Sequence, residues 1–91
     1  MYTLIVPPSF RRQLKKFVKA HPDLRETVAA VLRQLETYPF YPQLHLHPSS
    51  GQLADCHAVS VTYSYRITLI LQIDAGEIVL LDIGSHDDVY R

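Results

Sequence analysis

Tyr65-Arg66-Ile67-Thr68-Leu69-Ile70-Leu71-Gln72-Ile73, then Asp74-Ala75-Gly76, then Glu77-Ile78-Val79-Leu80-Leu81-Asp82-Ile83 is the stretch on which the organisation of the chain turns. Both flanks are apolar and rich in β-branched residues, which suit a pleated, half-buried surface. The three residues between them are turn formers, and so short a connection can join only antiparallel strands. The stretch reads as a hairpin with strands near 65–73 and 77–84.

Upstream of the hairpin, Cys56, Ala58 and Ser60 alternate with His57, Val59 and Val61, the period of a strand near 55–61. Neighbouring strand residues face opposite ways, so Cys56 and His57 do not make a nucleophile and its base; Cys56, between Ala54 and Ala58, reads as core. Residues 38–52 carry Pro39, Pro42 and Pro48 and read as a long irregular connection. At the start of the chain, Tyr2 to Val6 is a strand near 2–6, stopped by Pro7-Pro8. Ser9 is then a candidate cap for a helix near 8–20. Its stripe is Phe10, Leu14, Phe17 and Val18 at i, i+4, i+7 and i+8. His21-Pro22 ends that helix, because the residue before proline avoids the helical region. Asp23 is a candidate cap for a second helix near 23–37, striped by Leu24, Val28, Val31, Leu32 and Leu35. The order β-α-α-β-β-β predicts a single α+β domain over residues 1–91, a helix hairpin packed on a four-stranded, antiparallel-rich sheet.

Ninety-one residues bury one modest core, and 47% apolar residues are enough to pack it. The longest apolar runs are far short of a membrane span, and Met1-Tyr2-Thr3 does not open a signal peptide. A lone Cys56 cannot form an internal disulfide, so the expected compartment is the cytoplasm. Net charge is zero but unevenly spread. Residues 1–40 hold seven of the nine Lys/Arg and three of the nine acids, and the remainder carries the opposite excess. Arg11, Arg12, Lys15, Lys16 and Lys19 fall on the polar side of the first helix. They read either as a polyanion-binding face or as the solvated side of an amphipathic helix.

Several chemistries have no support. Only Gly51, Gly76 and Gly84 occur, so there is no glycine-rich phosphate loop; no Gly-x-Ser-x-Gly element and no convincing carboxylate pair is present. His45-Leu46-His47 puts two imidazoles on one side of an extended segment but lacks the third and fourth ligands of a usual metal site, so no cofactor or metal is expected. What remains is concentrated near the hairpin. Arg66 lies inside an apolar strand, where a guanidinium needs a salt-bridge partner such as Asp82, an opening to solvent, or an anion to clamp. After Gly84-Ser85, the chain places His86 just beyond a strand end and Tyr90 four residues later. An imidazole there can move a proton near neutral pH, and a terminal phenol can stack on a base.

Four segments together resemble the RelE/ParE superfamily of bacterial type II toxins, most closely its YafQ-like mRNA interferase branch. They are Pro7-Pro8-Ser9-Phe10-Arg11-Arg12-Gln13-Leu14-Lys15-Lys16 after the first strand, His47-Pro48-Ser49-Ser50-Gly51-Gln52-Leu53, Tyr65-Arg66-Ile67, and Gly84-Ser85-His86-Asp87-Asp88-Val89-Tyr90. The resemblance spans nearly the whole chain and implies the same β-α-α-β-β-β fold. It also implies a metal-independent endoribonuclease that cuts mRNA in the ribosomal A site, held in check by a cognate antitoxin in a hetero-oligomer. On the matching positions it implies catalytic roles for His47, His57, Arg66, His86 and Tyr90, with the basic helix face against ribosomal RNA. The sequence also departs from the pattern. Ser60 stands where many relatives have a second basic residue, and the segment from Ala58 to Tyr63 lacks the acid and Trp usual in the YafQ-like branch. Two alternatives therefore stay open: a ParE-like gyrase-binding toxin without nuclease activity, and an inactive antitoxin-binding homologue.

Overall fold

A computed structural model describes residues 1–49 and 56–85. Its elements are β1 (Thr3–Ile5), α1 (Pro8–Ala20), α2 (Arg25–Thr37), β2 (His47–Pro48), β3 (Cys56–Ser60), β4 (Tyr65–Gln72) and β5 (Glu77–Ser85), with single 3-10 turns at Pro22–Leu24 and Pro42–Leu44. The strands form one mixed sheet in the order β1-β5-β4-β3-β2. β1 runs parallel to β5 and the other pairs are antiparallel. The architecture is the expected α+β one, with two helices on an antiparallel-rich sheet. The extra strand is β2, two residues of the predicted loop that pair with β3, His47 opposite Ala58 and Pro48 opposite His57. Proline is tolerated there because β2 is an edge strand.

Both predicted helices form, but neither takes the cap expected of it. α1 begins at Pro8, with Pro7 as its cap residue and no side-chain hydrogen bond. Proline at the first helical position has its φ preset and lacks a donor that would be orphaned anyway, so Ser9 lies inside the first turn. Asp23 sits in the 3-10 turn, and Leu24 is the cap residue of α2. His21 closes α1 by donating its backbone N–H to the Phe17 carbonyl, and its ring packs on Phe17 and Tyr65 at centroid distances of 4.6 and 4.8 Å.

The core lies between the helices and one face of the sheet. Phe10 and Phe17 of α1 and Val28, Val31 and Leu35 of α2 bury against Val59, Val61, Ile67, Leu69, Leu71, Ile78, Leu80 and Ile83. The alternation on β5 breaks between Leu80 and Ile83. There, Leu69 pairs with Leu80 while Thr68 pairs with Asp82, leaving Leu81 as the extra residue of a bulge. Gln13 of α1 fills the gap: its Nε2 donates to Asp82 Oδ1 at 3.0 Å, and its Oε1 accepts the Ile83 backbone N–H at 3.3 Å. The β4–β5 turn closes through Gly76, whose N–H donates to the Ile73 carbonyl and whose φ of 66° is the left-handed conformation glycine adopts freely.

Candidate active site

His47, Ser60 and Arg66 come from three neighbouring strands. β3 pairs Ser60 with Arg66, and β2 pairs His47 with Ala58, two residues along the same face. They line an open cavity of about 480 Å³, together with Gln43, His45, Val61, Thr62 and Tyr63. That volume lies in the range of small-molecule sites.

The sequence here dictates an unusual local backbone. The 3-10 turn Pro42–Leu44 ends on His45, which takes the left-handed conformation at φ 52° and ψ 45°. A residue with a Cβ pays strain there. The turn aims the His45 carbonyl at the His47 ring, 2.7 Å from Nδ1. A carbonyl only accepts, so Nδ1 is the donor in this contact, which fixes the orientation of the ring.

Arg66 is half-buried on β4. Its Nη1 donates to the carbonyls of Tyr63 at 3.3 Å and Thr62 at 3.5 Å, both in the β3–β4 turn. These contacts are long, but they tether the guanidinium to its own hairpin. Its Nε is buried and has no hydrogen-bond partner among the described residues. Asp82, the salt-bridge partner entertained for Arg66, is instead bonded to Gln13. A cation with an unanswered buried donor, lining a cavity that an imidazole also lines, suits an oxyanion or phosphate.

His57 is placed differently. It pairs with Leu69 and Pro48 in register, shares the face of Val59 by alternation, and is not among the residues lining the cavity. Arg11, Arg12, Lys15, Lys16 and Lys19 are all exposed on α1. Lys16 and Gln13 line a second depression with His21, Tyr65, Gly84 and Ser85. His86 and Tyr90 lie outside the described residues, as do 50–53 of the loop motif; Ser85, the last one described, stands opposite Tyr65. Sequence reasoning passed over His45 as anything but a weak metal ligand and did not single out Gln43, Thr62 or Tyr63. Tyr63 is 95% exposed at the cavity rim. The proline before the His-x-His pair was the available signal, since it starts the turn that sets His45. Among the described residues, no three His, Cys, Asp or Glu side chains converge as a metal site. No helix among them is long and apolar enough to cross a membrane.

Solved structures share this fold. YafQ of E. coli, in its complex with DinJ, superposes with a TM-score of 0.81 at 15% identity, over 100% of both chains. The chain has the RelE/ParE toxin fold. A metal-bound toxin from Helicobacter pylori matches at 26% identity and TM-score 0.80 over 98% of this chain and 99% of that one. A YoeB dimer from Staphylococcus aureus shares 9% identity at TM-score 0.74, over 93% of this chain and 97% of that one. No protein-family model and no curated protein matches the sequence. Within the toxin fold, the cavity at the β2–β3–β4 end is the one that carries His47 and Arg66.

Proposed function

We propose that this chain is the toxin of a type II toxin–antitoxin system and an endoribonuclease that cuts mRNA in the ribosomal A site. The observation that carries the reading is the buried, unpartnered Nε of Arg66 in the same cavity as a His47 ring whose Nδ1 is already engaged. A histidine and an arginine lining one cavity suit the transfer of a phosphoryl group from one oxygen to another.

In the proposed reaction a ribose 2′-OH attacks the adjacent 3′-phosphorus. The new P–O2′ bond forms, the P–O5′ bond breaks, and the products are a 2′,3′-cyclic phosphate and a 5′-hydroxyl. His47 Nε2 takes the 2′ proton, Arg66 stabilises the charge that builds on the non-bridging oxygens, and a second histidine protonates the departing 5′ oxygen. His86, directly after the end of β5, is proposed for that second proton, and Tyr90 for stacking on a base at the cut. His57 faces away from Arg66 by strand alternation and is the weaker claimant. The exposed α1 bases are proposed to hold ribosomal RNA phosphates, and a cognate antitoxin to cover the site, as DinJ accompanies YafQ.

The test is cleavage of a reporter mRNA on purified ribosomes. Wild-type protein should cut in the A site, and His47→Ala, Arg66→Ala and His86→Ala should each lose about a hundredfold or more, the scale of one acid–base or charge-stabilising group. An unchanged rate in all three would sink the reading. Ser60 supports a second one. It lines the cavity opposite Arg66, where a second cation would assist catalysis, and so favours a weakly active or inactive antitoxin-binding homologue. Ser60→Lys distinguishes the two, because added charge raises the rate only where a reaction already occurs.

A further inference from the structure

We infer a second nucleotide subsite, next to the first, that seats the RNA residue flanking the cut; the inference rests on the ribonuclease reading above. A separate cavity of about 460 Å³ is lined by Ala30, Arg33, Gln34, Thr37, Tyr41 and Gln43. Gln43 also lines the cavity of His47 and Arg66, so one exposed side chain of the Pro42–Leu44 turn is the wall between the two. A strand whose reacting phosphate lies at Arg66 meets the second cavity on crossing Gln43.

The chemistry of that cavity fits a nucleotide. Among the described residues, Arg33 is the one charged side chain that lines it, and no carboxylate does so. Arg33 stands exposed on the last turns of α2, where its carbonyl accepts the Thr37 hydroxyl at 3.0 Å. Tyr41 is half-buried and held edge-on by Tyr38 at a centroid distance of 5.3 Å, and Tyr38 in turn packs on Phe40 at 5.4 Å. A ring held in this way loses little freedom when a base stacks on it. A packed aromatic and an exposed guanidinium lining one cavity are the elements by which single-stranded nucleic acid is held without sequence preference. Gln43 adds an amide that can both donate to and accept from a base edge.

The experiment is fluorescence anisotropy at low salt with two labelled RNA probes, a dinucleotide and a hexanucleotide, each 2′-deoxy at the reacting position so that cleavage cannot intervene. The hexanucleotide should bind more tightly to the wild type. Tyr41→Leu should remove roughly five- to a hundredfold of hexanucleotide affinity, the range of one lost stack, and Tyr41→Phe should restore it. Arg33→Gln, at an exposed helix position where a substitution costs little stability, should flatten the salt dependence of hexanucleotide binding by about 0.7, the value for one phosphate contact. Neither should alter dinucleotide binding, which Arg66→Ala should weaken. If the wild type and Arg66→Ala differ as expected but both the Arg33 and Tyr41 variants bind the hexanucleotide normally, the subsite is wrong and the ribonuclease reading survives. If the wild type binds neither probe, the subsite falls, while the ribonuclease reading stands or falls by cleavage on ribosomes. If those variants lose a co-expressed antitoxin instead of RNA, the surface belongs to a protein partner and the subsite is again wrong.

Discussion

Arg66 and Thr68, two residues apart on β4, each hold a buried polar atom with no partner among the described residues. The two call for different explanations. Thr68 is 5% exposed in the middle of the sheet and lines no cavity described above. Thr68→Val keeps the shape and removes the unanswered hydroxyl, so it should raise stability by about 1 kcal/mol in denaturant melts, with cleavage unchanged. Arg66 opens on the cavity, and its orphan Nε reads as a binding group waiting for an anion. Arg66→Met should melt no lower than the wild type while losing cleavage by about a hundredfold or more. A lower melting point that accounts for the lost activity would return Arg66 to a structural role. His45 supplies a third test at this scale. Its ring lines the cavity, but its backbone carbonyl makes the defined contact, to His47 Nδ1. His45→Gly keeps that carbonyl and relieves the left-handed strain. It should stabilise the protein by about 1 kcal/mol and leave cleavage largely intact. Outside the described residues, Tyr90→Ala should cost less than His86→Ala, on the order of one stack or 1–3 kcal/mol.

At the scale of elements, α1 has two faces with separate tasks. One buries Phe10 and Phe17 and lends Gln13 to the bulge of β5. Because Gln13 answers a backbone N–H that the bulge leaves beside the helix, Gln13→Ala should cost about 1 kcal/mol and speed hydrogen exchange at Ile83. Phe10 is fully buried, and Phe10→Ala should cost about 3–5 kcal/mol, enough to threaten folding in so small a domain. The opposite face carries Arg11, Arg12, Lys15, Lys16 and Lys19, all exposed. Replacing these five with Gln leaves the stripe untouched, so the fold should persist. Ribosome affinity should fall and its dependence on salt should flatten, since each lost phosphate contact releases one fewer counterion. Equal affinity and slope in a filter-binding titration would leave the face merely solvated.

At the scale of the molecule, the charge surplus of the first 40 residues is concentrated on the helices, while β3, β4 and the turn before β2 build the cavity. The proposed flanking subsite would join the two halves, because Gln43 lines both the cavity of Arg33 on α2 and that of His47 on β2. An open site of this kind, in a chain proposed to be a toxin, calls for a neutralising partner. Expressed alone the protein should arrest growth with loss of translation, and co-expression of its antitoxin should restore both. Growth arrest with altered DNA supercoiling and normal translation would favour the gyrase-binding alternative.

The sequence by itself determined the two helices, the strands other than β2, and their order. Helix stripes, strand alternation and turn residues are local signals, and they placed α1 at 8–20, a hairpin turn at Asp74-Ala75-Gly76 and the end of α1 at His21-Pro22, close to where the structure has them. Arg66 was legible for the same reason: a guanidinium inside an apolar strand is conspicuous in one dimension. The tertiary structure alone decided which residues meet. Nothing local reveals that β1 pairs in parallel with β5, or that Leu81 drops out of register and leaves Asp82 to Gln13. Nor does a string of residues show that His47 shares a face with Ser60 and Arg66 while His57 turns away; that follows from one register, set when β2 pairs with β3. A strand's pattern says which residues alternate, and only its neighbour fixes which side they come to share.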